Sequence, residues 1–166
     1  MAKPKILTFD WAFWFQWIMA TTIGWLLGRF LLPNLAFIII GIALGILQWL
    51  VLQHRIKHSW HWIVATSLGW GFGATFLLTI APGMGEFLAG VIMGLTTGAA
   101  QWLILRQEVY WGGWWIAISV VGWTTGMALL PGVMLTGVLA GAVTGIAMML
   151  LLASPRPPET NGERLE

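Results

Sequence analysis

The residues in this chain whose types and spacing can do chemistry fall into four groups. His54, His58 and His61 follow an i, i+4, i+7 spacing, which on a continued helix places three imidazoles on one face as ligands for a metal or a tetrapyrrole. Against that use, Arg55 and Lys57 interleave them in a loop and no carboxylate stands nearby as an outer partner, which favours interfacial anchoring and contacts to acidic lipid. Thr21, Thr66, Ser119, Gln48 and Gln101 bring hydroxyls and amides into otherwise apolar stretches. They can hydrogen-bond one another to fix helix register, or form a polar ring that takes a head group, quinone or pigment. Trp25, Trp70 and Trp123 each follow a glycine, and either pack over a neighbour's glycine groove or stack on a flat apolar ligand such as a carotenoid, chlorin or quinone. Arg29 and Glu86 are the charges within apolar stretches, where an unpaired charge is costly. Their readings are an ion pair tying the first helical pair to the second, a charged gate or anion contact, or independent snorkelling.

Other chemistries are excluded. The chain has no Cys, which removes thiolate catalysis, Cys-ligated zinc, iron–sulfur clusters and disulfides. It has no paired carboxylates, no Ser/His/Asp arrangement, no HExxH and no phosphate-cradling loop ahead of a Lys, so an enzyme is not expected. With 8 Lys and Arg against 6 Asp and Glu, the charge of +2 gives no footing for a nucleic-acid partner.

The elements that must position these residues follow from composition. Of 166 residues 58% are hydrophobic and 8% charged, against about 25% charged in a globular protein, and the mean hydropathy is +0.84. A membrane helix takes about 20 apolar residues, and six such stretches are expected: Trp11 to Leu32, Leu35 to Gln53, His61 to Ala81, Glu86 to Leu105, Trp114 to Leu130 and Val133 to Leu152. Leu32-Pro33-Asn34, Ala81 to Gly85 and Leu130-Pro131-Gly132 read as tight hairpin tips. The division is an N-terminal segment 1–10, hairpins 11–53, 61–105 and 114–152, basic loops 54–60 and 106–113, and a Pro-rich tail 153–166 that reads as disordered.

Lys3, Lys5, Arg55, Lys57, Arg106, Arg156 and Arg164 all fall on the side away from the tips, so both termini and both loops are expected on the cytoplasmic face, or the stromal face of a thylakoid. No cleavable signal peptide is expected at the start. Of thirteen Trp, ten (Trp11, Trp14, Trp17, Trp49, Trp60, Trp62, Trp102, Trp111, Trp114 and Trp115) are expected to form an aromatic belt at the basic side, with Trp25, Trp70 and Trp123 two turns deeper.

The odd stretches align without gaps: Trp17-Ile18, Thr21, Gly24-Trp25 and Gly28 match Trp62-Ile63, Thr66, Gly69-Trp70 and Gly73, then Trp115-Ile116, Ser119, Gly122-Trp123 and Gly126. The even stretches repeat Gly41, Gly45 and Gln48-Trp49 as Gly94, Gly98 and Gln101-Trp102, preceded by Gly90, and then as Gly137, Gly141, Gly145 and Met148-Met149. Phe37 stands where the later copies have Gly90 and Gly137, and Met148 replaces the third Gln. Three parallel hairpins related by rotation form a pseudo-threefold, all-α bundle of six transmembrane helices. Its glycines serve as packing seams, one step shorter at Phe37. This symmetry differs from the inverted repeats on which many transporters build their sites.

The repeated Gly-Trp-x-x-Gly helices and Gln-Trp-Leu helix ends, over Phe15 to Leu152, resemble a group of Gly/Trp-rich multi-pass membrane proteins of cyanobacterial type. The resemblance implies a membrane location and no mechanism, and the lost Gln-Trp of the third hairpin departs from it. Three functional readings remain: a non-enzymatic scaffold, assembly or accessory subunit that meets membrane lipid and a membrane-protein partner; a small channel or carrier along the bundle axis; and a sensor of membrane state. The second expects Thr21, Thr66, Ser119, Gln48 and Gln101 to surround an open space.

Overall fold

The computed structural model describes residues 9–31, 36–129 and 133–156. These fold into α1 (Trp11–Leu31), α2 (Ala36–Leu52), α3 (His61–Thr79), α4 (Glu86–Glu108), α5 (Trp114–Ala128) and α6 (Val133–Leu152). The tips around Pro33 and Pro131, the first eight residues and the tail from residue 157, with Arg164, lie outside the described residues. Three helical segments are long and apolar enough to cross a membrane: His61–Thr79, Glu86–Glu108 and Met134–Leu152. Helix α2 has 17 residues and α5 has 15, short of a perpendicular crossing. The 21 residues of α1 include four Trp, Gln16, Thr21, Thr22 and Arg29, which lower its hydropathy.

Each helix packs on its neighbours in sequence, and α6 closes onto α1, so the six form a ring with no close backbone approach across it between opposite helices among the described residues. Consecutive helices run antiparallel, as the register shows: Gly24 abuts Leu44 while Gly28, one turn on, abuts Ile40, one turn back. Close approach requires the glycines. A Cβ on Gly94 or Gly90 would stand 2.5 Å from the backbone of α5, at Val120 and Thr124. The repeat glycines Gly24, Gly28, Gly69, Gly73, Gly122 and Gly126 of the odd helices face the next helix of the same hairpin, and those of α2, α4 and α6 face the odd helix of the next, with Gly137 and Gly141 closing onto Thr22 and Ile18. Helix α2 offers α3 two glycine steps, Gly41 and Gly45, where α4 and α6 each offer three, because Phe37 occupies the third.

Local signals set the helix ends. Asp10 caps α1, its Oδ1 accepting the Phe13 N–H at 3.0 Å. Helices α3 and α5 open through three-residue turns, with the N–H of Trp62 on the Ser59 carbonyl and that of Trp115 on the Gly112 carbonyl. The described tip places Pro82 and then Gly83, at φ +83°, between Ala81 and Met84, whose N–H returns to the Ala81 carbonyl at 3.3 Å. Only glycine enters that left-handed position without strain.

Two expectations are corrected at the basic end. Helix α4 runs to Glu108 rather than Leu105, so Arg106 and Glu108 are helical. Residues Ser154 to Arg156, expected to be disordered, are tied to the α4–α5 connection: the Tyr110 N–H donates to the Ser154 carbonyl and the Arg156 N–H to the Glu108 carbonyl, flanking a Val109–Pro155 bridge.

Candidate functional site

On α1, Trp17, Thr21 and Trp25 are separated by four residues each and so lie about 6 Å apart along one face. The same spacing on α3 and α5 builds three levels inside the ring. At the first level Trp17, Trp62 and Trp115 meet edge to face, with centroids 5.8 to 6.1 Å apart. Their exposures are 0, 0 and 1%. The expected aromatic belt therefore loses these three residues: a ring at interfacial height can turn inward, and the axis of a six-helix ring has room that only large side chains fill. Trp11, Trp60, Trp111 and Trp114 remain on the outside.

A buried indole N–H needs an acceptor, and each is supplied by the even helix of the preceding hairpin. Trp62 donates to Gln48 Oε1 at 3.0 Å and Trp115 to Gln101 Oε1 at 2.9 Å. The same amides donate back to the odd helix of their own hairpin, Gln48 to Thr21 at 3.1 Å and Gln101 to Thr66 at 2.8 Å. Gln101 Nε2 also lies 3.5 Å from Gln48 Oε1, which joins the two halves.

The third hairpin has Met148 in place of glutamine, and Trp17 donates instead to Thr144, one turn earlier, at 3.0 Å. Ser119 is left buried with no hydrogen-bond partner among the described residues. Thr97, which matches Thr144 in the repeat, is likewise buried without a partner, because Gln101 already serves Trp115. The role of Thr144 lay outside the sequence reading, although a threonine one turn before the missing glutamine was its visible sign.

At the third level Trp25, Trp70 and Trp123 pack on one another, with centroids 5.9, 6.0 and 5.0 Å apart. Ile40, Leu44, Met93 and Ala140 surround them. Gly41 lies against the Cβ of Trp70, while the indole rings of all three meet one another. The faces of these rings are thus covered by protein. Hydrogen bonds join Thr21, Gln48, Gln101 and Thr66, Ser119 is buried at the matching place on α5, and a layer of three packed tryptophans lies on either side.

Arg29 and Glu86 do not pair. They belong to α1 and α4, whose backbones stand apart on opposite sides of the ring, so equal depth does not bring them together. The Arg29 guanidinium lies 5.9 Å from the Trp25 ring centroid, and Glu86 is exposed at the start of α4. The described ion pair, Arg55 with Asp10, lies at the other end. Arg55 meets Asp10 at 2.8 Å and rests 4.6 Å from the Phe13 ring centroid, while His58 Nδ1 is 3.9 Å from Glu108. The Phe13 N–H and then the Arg55 guanidinium hold the Asp10 carboxyl below the ordinary aspartate value.

The three histidines do not share a helix face, because α2 ends at Leu52 and α3 begins at His61. His61 stacks on Trp60 at 3.8 Å, and no group of three metal-ligating side chains forms among the described residues. The carboxylate missing from the local sequence comes from α4, as Glu108.

Comparison of the chain with family models, with curated proteins and with solved structures finds no match.

Proposed function

We propose that the chain is a six-span integral membrane protein of three parallel hairpins about a pseudo-threefold axis, acting without catalysis as a scaffold, assembly or accessory subunit of a membrane complex. Its outward faces support six spans: Phe15, Met19, Ile23 and Leu27 on α1, Ile38, Ile42, Ile46 and Leu50 on α2, and Val64, Leu68, Phe72 and Phe76 on α3 form exposed apolar stripes at every fourth residue. Stripes of this kind need lipid or a partner as solvent. The described basic residues other than Arg29 lie at one end, which supports an orientation with both termini on the cytoplasmic or stromal side of a plasma, inner or thylakoid membrane.

The observation that carries the reading is the filled axis. Two layers of three tryptophans close it above and below a polar layer whose amides are already spent on hydrogen bonds. A channel or carrier needs a hydrated or ligand-sized space there, whereas a rigid scaffold needs register and a partner surface. That surface is the basic rim, where Trp11, Trp60, Tyr110, Trp111 and Trp114 are each more than half exposed. A carotenoid, chlorin, quinone or lipid would bind on the outside of the ring, not between the axial tryptophans. Mild extraction from the native membrane, followed by native mass and an absorption spectrum, tests this. Co-migration with a larger membrane complex is expected; a free, partnerless chain that raises solute flux in liposomes above protein-free controls would overturn it.

A further inference from the structure

At the basic end lies a cavity of about 680 Å³, lined by segments from all three hairpins. The α2–α3 connection supplies Arg55, Lys57 and His58, the last turn of α4 supplies Gln107 and Glu108, and the segment after α6 supplies Arg156. These segments are held in place from within. Ile56 is buried in the tryptophan cluster, the Trp49 indole donates to Ser59 at 3.2 Å, and Glu108 accepts the Lys57 N–H at 3.2 Å. The Arg156 backbone is fixed on the Glu108 carbonyl.

The charges divide by use. Asp10 engages one nitrogen of Arg55, and Glu108 faces His58. Lys57 and Arg156 have no carboxylate within ion-pair distance among the described residues, although both border the cavity. Three cations, Arg55, Lys57 and Arg156, outnumber the one carboxylate, Glu108, among the described residues around this concave space, which forms a receptor for an anion with several oxygens. A fork-shaped guanidinium beside a point-like ammonium suits phosphate oxygens.

We infer that this cavity is a binding site for a phosphate group, carried either by an anionic lipid at the membrane surface or by a soluble phosphate compound, with Lys57 and Arg156 as its principal contacts. Half-buried Leu152, backed by the buried Ile56 and Val109, gives the non-phosphate part of such a ligand a small apolar surface. Glu108 acts as a positioning residue that shapes the Lys57–His58 turn. The site does not depend on the scaffold reading, since a partner-free protein would keep it.

The test titrates the full-length protein in neutral detergent with inorganic phosphate, and separately with mixed micelles of phosphatidylglycerol or phosphatidylcholine, following tryptophan fluorescence. Saturation by phosphate assigns a soluble ligand, and saturation by phosphatidylglycerol alone assigns a lipid head group. In either case Lys57→Gln and Arg156→Gln should each weaken binding about tenfold. Arg106→Gln, at the same end but outside this cavity, should change it by less than about twofold. Absence of saturation with both probes, or equal losses in Arg106→Gln and Lys57→Gln, would overturn the inference, the second result reducing it to general surface charge. Lys57 and Arg156 are exposed, and an unchanged near-ultraviolet circular dichroism spectrum checks that the variants fold.

Discussion

Replacing Gln48 by Met should destabilise the protein more than replacing Gln101 by Met, although the two glutamines occupy matching places. The third hairpin already shows the outcome of such a change: with Met148 in the glutamine position, the Trp17 indole is served by Thr144. In Gln101→Met the Trp115 indole can turn to Thr97, which matches Thr144 and whose hydroxyl is unpartnered. In Gln48→Met the matching residue is Leu44, and the Trp62 N–H has no such substitute. An interhelical polar contact in a membrane averages about 0.6 kcal/mol, and an orphaned buried donor costs about 1 to 3 kcal/mol. Gln101→Met, losing three contacts and regaining one, should cost about 1 kcal/mol, and Gln48→Met, which regains none, about 1 to 3 kcal/mol. A gap near 1 kcal/mol is about a fivefold change in the unfolding equilibrium. Reversible unfolding in mixed micelles on addition of a denaturing detergent, followed by tryptophan fluorescence, measures it. A double-mutant cycle then adds Leu44→Thr to Gln48→Met, where a favourable coupling of about 1 kcal/mol is expected. Equal costs for the two single variants, together with zero coupling in the cycle, would refute the assignment of Thr144 as the stand-in acceptor.

Other outcomes follow from the seams and the cap. Gly94→Leu should destabilise the detergent-solubilised fold by at least about 3 kcal/mol through overpacking against Val120. Gly71→Ala, whose Cβ meets nothing within 4 Å, and His58→Ala should stay within about 0.5 kcal/mol; equal tolerance of all three would remove the basis of the seams. The lowered Asp10 carboxyl gives a pH dependence of definite sign. Its contribution to stability is complete above the ordinary aspartate pKa of about 4 and drains away as pH falls through the lower folded value. Thermal unfolding between pH 6 and 3 should therefore show a decline that is shallower in Asp10→Asn, and identical slopes in the two proteins would exclude the cap and the Arg55 pair as its source.

Much of the architecture is legible because residue type and spacing carry it. Apolar runs and proline tips mark six helices, and the gap-free recurrence of Trp, Thr and Gly at four-residue spacing marks the face that each odd helix turns inward. Gln48 and Gln101 could be matched to Thr21 and Thr66 for the same reason: all four share repeat positions and depth. Azimuth is what depth does not specify. Arg29 and Glu86 lie at comparable height, yet ring closure sets α1 opposite α4. Trp17, Trp62 and Trp115 have the height of an aromatic belt and the azimuth of a core, which only the neighbouring helices decide. Contacts such as Arg55 with Asp10 and Glu108 with His58 depend on loop paths between hairpins, for which the repeat offers no template because those loops do not repeat.

The filled axis is tested most directly by the accessibility of its polar level, and the cysteine-free chain makes the labelling clean. Ser119→Cys, buried beside Gly98 and between the tryptophan layers, is treated with a small water-soluble thiol reagent in sealed vesicles, with Tyr110→Cys at the exposed rim as the positive control. The closed bundle expects the rim cysteine to react and Ser119→Cys to stay unlabelled until the protein is unfolded. Labelling of Ser119→Cys in the folded state at a rate near that of the rim control would show a water path along the axis and contradict the account.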